Sequence, residues 1–305
     1  MKWHWLAVLL PLVFSLGVGL FLNYSSAQNP ILYARADLGT AFMICGFLVT
    51  IGTGISLAFW EIWDSGKRSK MEILIQASED HRRFLQRLDH ELKNPLTAIL
   101  AGLANLRVGQ SEKSNQDSLQ SVEIEVRRLS RLVADLRKLS DLEIRPIELT
   151  LVDLSEIIDE SLALAKELPG AEDRTFNISV PHAPWPLPKI SADRDLLFLA
   201  MHNLLSNAIK FTTPGDTIEI RAFEDNQNTV VEIADTGPGI PESEAPYVWE
   251  ELYRGIGARG IPGSGLGLAL VKAIINRHNG QVYLRSREGV GTVVTMRLPI
   301  SSTNE

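Results

Sequence analysis

Cysteine is almost absent from this 305-residue chain, and its single example, Cys45, sits inside an apolar run. No intrachain disulfide can form, and neither a thiol nucleophile nor a Cys-ligated zinc site is indicated. Charge is nearly missing from the first 60 residues, where only Lys2, Arg35 and Asp37 are ionised. Beyond residue 70 there is no basic cluster, and the formal net charge is −7. The chain therefore lacks the electrostatic footprint of a nucleic-acid partner. No GK[ST] tripeptide occurs, which excludes a P-loop, and no internal repeat or low-complexity tract is present.

The shortage of charge at the start has a positive meaning. Two uncharged apolar runs, Trp3 to Leu22 and Leu38 to Trp60, each approach the ~20 residues a helix needs to cross a bilayer. Residues 1–60 are thus expected to be a membrane region with transmembrane helices over 3–22 and 38–60, in contact with lipid. Lys67, Arg68 and Lys70 follow the second run, whereas the connecting loop offers one Arg. The positive-inside rule then places the N-terminus and everything after Trp60 in the cytoplasm, as a multi-pass protein of the cytoplasmic membrane. A cleavable signal peptide is the rival for the first run, since Lys2 precedes it and Ser25-Ser26-Ala27 offers small residues; its apolar part exceeds the usual ~7 to 15 residues. The loop from Asn23 to Asp37 is too short for a sensory domain. Gly46, Thr50, Gly54 and Ala58 recur every fourth residue, a spacing that permits close helix contact in lipid. A stimulus is therefore expected within the membrane, or from a membrane or extracytoplasmic partner.

After a juxtamembrane linker, 61–74, the leucine pattern becomes helical. Leu85, Leu88, Leu92, Leu96, Ile99, Leu103 and Leu106 form one stripe, and Leu119, Val122, Val126, Leu129, Leu132, Leu136 and Leu139 another. Gly109 to Asp117 reads as the turn between them. Residues 75–142 are thus expected to be an antiparallel α-helical hairpin that pairs with a copy as a four-helix bundle in a homodimer; the alternative is a hairpin packed only on its own chain. Arg145 to Leu149 ends the pattern. Within 147–300, β-like runs (Thr175 to Val180, Thr217 to Phe223, Thr229 to Ala234, Gln281 to Arg285, Thr292 to Leu298) mix with helical ones (Leu154 to Leu168, Asp193 to Phe211, Leu266 to His278). That mixture predicts an α+β layer sandwich.

The chemistry concentrates in four short segments: Asp89-His90-Glu91-Leu92-Lys93-Asn94-Pro95, Asn203-Leu204-Leu205-Ser206-Asn207-Ala208-Ile209-Lys210, Asp235-Thr236-Gly237-Pro238-Gly239 and Gly263-Ser264-Gly265-Leu266-Gly267. A nucleophilic imidazole needs exposure and a neighbour to share its proton, which Glu91 can supply to His90. Asn94 lies one helical turn further on. Pro95 deprives the Glu91 carbonyl of its helical partner. Asn203, Asn207 and Lys210, at i, i+4 and i+7, share one helix face, and amides with an ammonium suit a triphosphate and Mg²⁺. Asp235 ends a β-branched run, and the glycines of the last segment precede a helix whose free N–H groups can meet phosphate.

These segments resemble, in order and spacing, the phospho-acceptor, asparagine and glycine boxes of bacterial sensor histidine kinases, over about residues 75 to 300. The resemblance implies a GHKL-type (Bergerat) ATP-binding domain over 147–300 and a phospho-acceptor domain over 75–142. It implies that Mg²⁺-ATP phosphorylates His90, that Glu91 orients the imidazole or acts as base, and that the phosphoryl group passes to an aspartate of a separate response regulator. Asn94 completes what looks like a phosphatase signature. Asn207 would hold Mg²⁺, and nucleotide contacts are implied at Asn203, Lys210, Asp235, Gly237, Gly239, Tyr253, Arg254, Gly263, Gly265, Leu266 and Gly267. Trp249 and Leu252 stand where the family usually has Phe. The competing reading is a degenerate membrane-tethered protein that binds nucleotide without transferring phosphate.

Overall fold

The computed structural model describes residues 13–14, 16–21, 24, 38–107, 112–181, 184–258 and 260–300. The chain divides into two compact units, Met1–His81 and Arg82–Glu305.

In the first unit, helix α1 (Leu38–Arg107) opens with Gly39–Glu61, 23 residues of mean hydropathy 2.0. Among the described residues it is the one helix long and apolar enough to span a membrane. The first predicted span, 3–22, falls largely outside the described residues. Where they resume, 16–21 is helical, and a Cβ on Gly19 would come within 2.7 Å of Met43 Cγ and 3.3 Å of the Gly39 carbonyl oxygen. Gly39 and Gly46 are buried, Thr50 and Gly54 half-buried and Ala58 exposed, so most of the small-residue stripe faces inward. Thr50 Oγ1 donates to the Gly46 carbonyl at 2.7 Å, the internal satisfaction that a lipid environment demands. The side chains of Lys67, Arg68 and Lys70 lie outside the described residues.

The second unit contains the hairpin. Its first arm is the C-terminal part of α1, which continues through Pro95; its second is α2 (Glu112–Ile144). The expected turn over Gly109 to Asp117 is shorter than its polarity suggests, because Glu112 to Asp117 are already helical. An acidic residue at a helix start is favoured by the helix dipole, and the arms meet here: a Cβ on Gly102 would fall 2.6 Å from Val122 Cγ2. Leu96, Leu100, Leu103, Leu119, Ile124, Val126 and Val133 remain exposed in the single chain.

The α+β expectation is met. A five-stranded sheet runs in the order β2 (Thr175–Ser179), β4 (Thr217–Asp225), β5 (Asn228–Asp235), β7 (Gly291–Pro299), β6 (Gln281–Arg287). β2 lies parallel to β4, and the other pairs are antiparallel. Two three-residue strands, β1 (Thr150–Val152) and β3 (Ile190–Ala192), form a separate antiparallel ladder; neither is long enough to show a period in sequence. Helices α3 (Leu154–Lys166), α4 (Arg194–Phe211) and α5 (Gly267–Arg277) supply Ile157, Ile158, Leu197, Met201, Leu205, Ile274 and Ile275 to one core with Ile218, Ile220, Val231, Ile233 and Met296 of the sheet. Alternation in β4 and β5 puts these strand residues on one face.

Caps fix where the helices begin. Asp153 accepts from Ser155 N at 2.9 Å and Asp193 from Leu196 N at 3.2 Å, each cap contributing about 1 kcal/mol. At the other end of α4, Arg174 donates to the carbonyl oxygens of Thr212 at 2.6 Å and Ile209 at 3.5 Å, satisfying acceptors that a helix end leaves free. Both ends of the helix carrying Asn203, Asn207 and Lys210 are thereby pinned.

Candidate functional site

His90 is exposed on α1 and opens on a cleft walled by Arg83, Gln86, Arg87 and Asp89. Asp89 pairs with Lys93 at 2.5 Å. Glu91 does not turn to the imidazole: its Oε2 accepts from Arg128 Nη2, on the other arm, at 2.8 Å. Asn94 is exposed and Pro95 buried.

On α4, Asn203 Nδ2 donates to the Leu199 carbonyl at 2.8 Å, which leaves Oδ1 aimed at the start of α5. A Cβ on Gly267 would lie 3.3 Å from Asn203 Oδ1, 3.6 Å from Asn207 Nδ2 and 3.9 Å from Asn207 Oδ1. The absent side chain thus lets two Asn amides approach the free N–H groups of a helix N-terminus, where anions are favoured. Among the described residues no group of three or more His, Cys, Asp or Glu could cage a metal. Mg²⁺ takes one or two protein oxygens and completes its shell with phosphate and water, and the amide oxygen of Asn207 at this helix start is a donor of that kind.

Lys210 is exposed by area, yet its ammonium pKa is lowered by desolvation, with Asp135 of the hairpin opposing and Arg131 adding to the effect. His202, one turn before Ser206, stacks on Phe198 and is lowered by burial, then by Lys210 and Lys138.

Asp235 closes β5, with Oδ1 accepting from Gly237 N at 3.0 Å. Burial raises its pKa, and the N–H groups of Gly237 and Thr292 work against that rise. Gly239 has φ +69°, and a Cβ there would fall 2.1 Å from the Arg287 carbonyl oxygen, so only glycine fits this close approach. Gly265, at φ +73°, would press a Cβ to 2.8 Å from the Tyr253 carbonyl oxygen. Gly263 has open space around it.

The segment between the glycine boxes is seated on the hairpin. Leu252 and Leu266 form a buried cluster with Leu132, lined by Phe84, Leu88, Leu92, Leu136 and Leu139. Ser264 Oγ donates to Asp135 Oδ2 at 2.7 Å. Arg87 donates to the Glu251 carbonyl at 3.1 Å, pairs with Glu250 and lies 5.4 Å over the Tyr253 ring. Arg254 donates to the carbonyls of Ala258 at 2.7 Å and Ile261 at 2.6 Å, so it braces its own loop. Sequence reasoning missed Arg87, Arg128, Asp135 and Ser264. The three hairpin residues flank the leucine stripes as ordinary helix-surface charges, and only the fold gives them partners.

Residues 80–145 match the model of the His Kinase A (phospho-acceptor) domain, and residues 192–302 that of the histidine kinase-, DNA gyrase B- and HSP90-like ATPase. The chain is 35% identical over 241 residues to Drug sensory protein A of Synechocystis sp., covering 74% of this chain and 36% of that one. It is 32% identical over 218 residues to the signal transduction histidine-protein kinase/phosphatase MprB of Mycobacterium sp. (strain KMS), covering 69% and 41%. The chain thus spans less than half the length of these two curated relatives. The histidine kinase ThkA, solved in complex with the response regulator protein TrrA, aligns with a TM-score of 0.60 at 22% identity over 73% of this chain and 63% of that one, a likeness of fold. With the phospho-acceptor and ATPase domains both matched in order, the chain belongs to the sensor histidine kinase family.

Proposed function

We propose that this protein is a membrane-bound, homodimeric sensor histidine kinase that uses ATP to phosphorylate His90 and passes the phosphoryl group to an aspartate of a separate response regulator. The observation that carries the reading is the presence, within one compact unit, of an exposed histidine and of two Asn amides beside a glycine at a helix start. Phosphoryl transfer is mainly positioning and charge neutralisation. Asn203, Lys210 and the N-terminus of α5 with Gly263, Gly265, Leu266 and Gly267 bind the triphosphate; Asp235, Gly237 and Gly239 bind the base; Tyr253 and Arg254 belong to the loop that covers it. Mg²⁺ on Asn207 would neutralise phosphate charge. Glu91 takes the imidazole proton, and Asn94 orients water for dephosphorylation of the regulator.

The exposed leucines of the hairpin are the surface for a second copy, and residues 3–22 form a second membrane span beside Gly39–Glu61, as the close approach of Gly19 to Met43 supports. The kinase unit faces the cytoplasm, and the signal enters through the membrane helices or a membrane partner.

The test is autophosphorylation of the full chain in nanodiscs with γ-labelled ATP. Wild-type protein should gain acid-labile phosphate, and His90→Gln should gain none while still binding nucleotide. Wild-type labelling of His90→Gln would remove His90 from the mechanism.

A further inference from the structure

Arg128 stands between two carboxylates. Its Nη2 donates to Glu91 Oε2 at 2.8 Å, and its Nη1 lies 3.9 Å from Glu125 Oε2. That second oxygen is buried and accepts no hydrogen bond, an expensive condition for an anionic atom. One guanidinium thus serves two acids in the seam of the hairpin, and its satisfaction of one leaves the other wanting. Among the described residues no hydrogen bond joins Glu91 to His90, and Asp89, the other acidic neighbour of His90, is taken by Lys93. Arg87 on the same stretch of α1 is held by Glu250 and the Glu251 carbonyl, and Arg83 lies 3.9 Å from Glu250.

We infer that Arg128 is a positioning residue for phosphoryl transfer, which exchanges Glu91 for Glu125 and so releases the Glu91 carboxylate to His90. The inference rests on the reading of His90 as phospho-acceptor and Glu91 as its base. In the transfer step one ring nitrogen of His90 bonds to the γ-phosphorus, the bond from phosphorus to the β–γ bridging oxygen breaks, and ADP leaves with that electron pair. The proton on the other ring nitrogen, acidified by phosphorylation, goes to Glu91. While Arg128 holds Glu91 that proton has no acceptor in place. Transfer of the guanidinium to Glu125 gives a hydrogen bond to an oxygen that now accepts none, so the exchange costs no unpaired cation. A planar fork with several donors can make such a change by a small rotation.

The two partners of Arg128 predict opposite effects. Arg128→Gln frees Glu91 permanently and should raise the kcat of autophosphorylation roughly twofold to fivefold, the span that a partly exposed ion pair commands. Glu125→Gln removes the charged alternative, leaves Arg128 on Glu91 and should lower kcat by a similar factor. The KM for ATP should be unchanged in both, since neither residue touches the nucleotide pocket, and Arg128→Lys, which keeps the charge but not the fork, should fall between wild type and Arg128→Gln. The double variant should match Arg128→Gln. These are measured on the full chain in nanodiscs beside Glu91→Gln. If Glu91→Gln leaves autophosphorylation unchanged, the underlying assignment of the base fails. If Glu91→Gln lowers kcat but the two seam variants move it in the same direction, or leave it alone, the exchange is overturned. Should Arg128→Gln fail to fold, Glu125→Gln decides the matter alone: a kcat at or above wild type sinks the inference.

Discussion

Two glycines on facing turns allow the close packing of the first glycine box to be measured. Gly239 and Gly289 have nearly the same φ, +69° and +74°, and their turns are tied by Gly289 N donating to the Pro238 carbonyl at 2.7 Å. Their surroundings differ. A Cβ on Gly289 meets nothing within 4 Å, whereas one on Gly239 would lie 2.1 Å from the Arg287 carbonyl oxygen and 2.7 Å from its carbon. Gly289→Ala should therefore cost only the left-handed strain, about 1–2 kcal/mol. Gly239→Ala carries that strain plus overpacking against backbone, about 1–3 kcal/mol more. The difference between the variants isolates the approach of the Asp235–Gly239 loop to the end of β6. Because that loop also carries Asp235, Gly239→Ala should weaken nucleotide binding as well, while Gly289→Ala should spare it. Urea unfolding of the full chain in nanodiscs, followed by tryptophan fluorescence and paired with calorimetric nucleotide titration, reads both quantities. Equal stability and equal affinity in the two variants would refute the close approach and, with it, the proposed part of this loop in binding the base.

Other residues give shorter tests. Asn207→Ala should abolish autophosphorylation without loss of the dimer, and unchanged activity would remove its amide oxygen from the site. Asp235 has a raised pKa from burial; if its carboxylate accepts from the base, affinity is full above that pKa and falls as pH drops through it. The loss should begin at a higher pH than for an ordinary Asp, near 3.9, and Asp235→Asn should flatten the profile; a wild-type profile flat down to pH 4 would contradict this. Ser264→Ala or Asp135→Ala removes the 2.7 Å bond between loop and hairpin, worth about 1 kcal/mol and so about fivefold in the docked population. Amide exchange across residues 252–266 should quicken accordingly, and identical protection in both variants would argue against a latch.

What the sequence disclosed and what it withheld divide along the range of the interactions. Leucines at three- and four-residue spacing announced both arms of the hairpin, and the β-branched runs announced five strands, because helix and strand periods are local properties. The strands Thr150–Val152 and Ile190–Ala192 escaped notice, since three residues carry no period and their pairing closes a gap of some forty positions. The site shows the same division. Asn203, Asn207 and Lys210 share a face by helix geometry alone, and a glycine before a helix speaks for itself. Glu91 was legible as a neighbour of His90 but not as a partner of Arg128, 37 positions away. The seating of Leu252 and Leu266 on Leu132 was likewise hidden: each reads as a member of its own segment, and only the folded chain makes them one cluster. Leu252 holds its place at φ +59°, a conformation that costs a leucine about 1–2 kcal/mol. Burial of its side chain contributes about 1.5–3 kcal/mol and can offset that strain only while the hairpin covers it. Were the hairpin to move away, the strain would stay and the burial would go, so the shape of the loop bearing Tyr253 and Arg254 is tied to its seat on the hairpin.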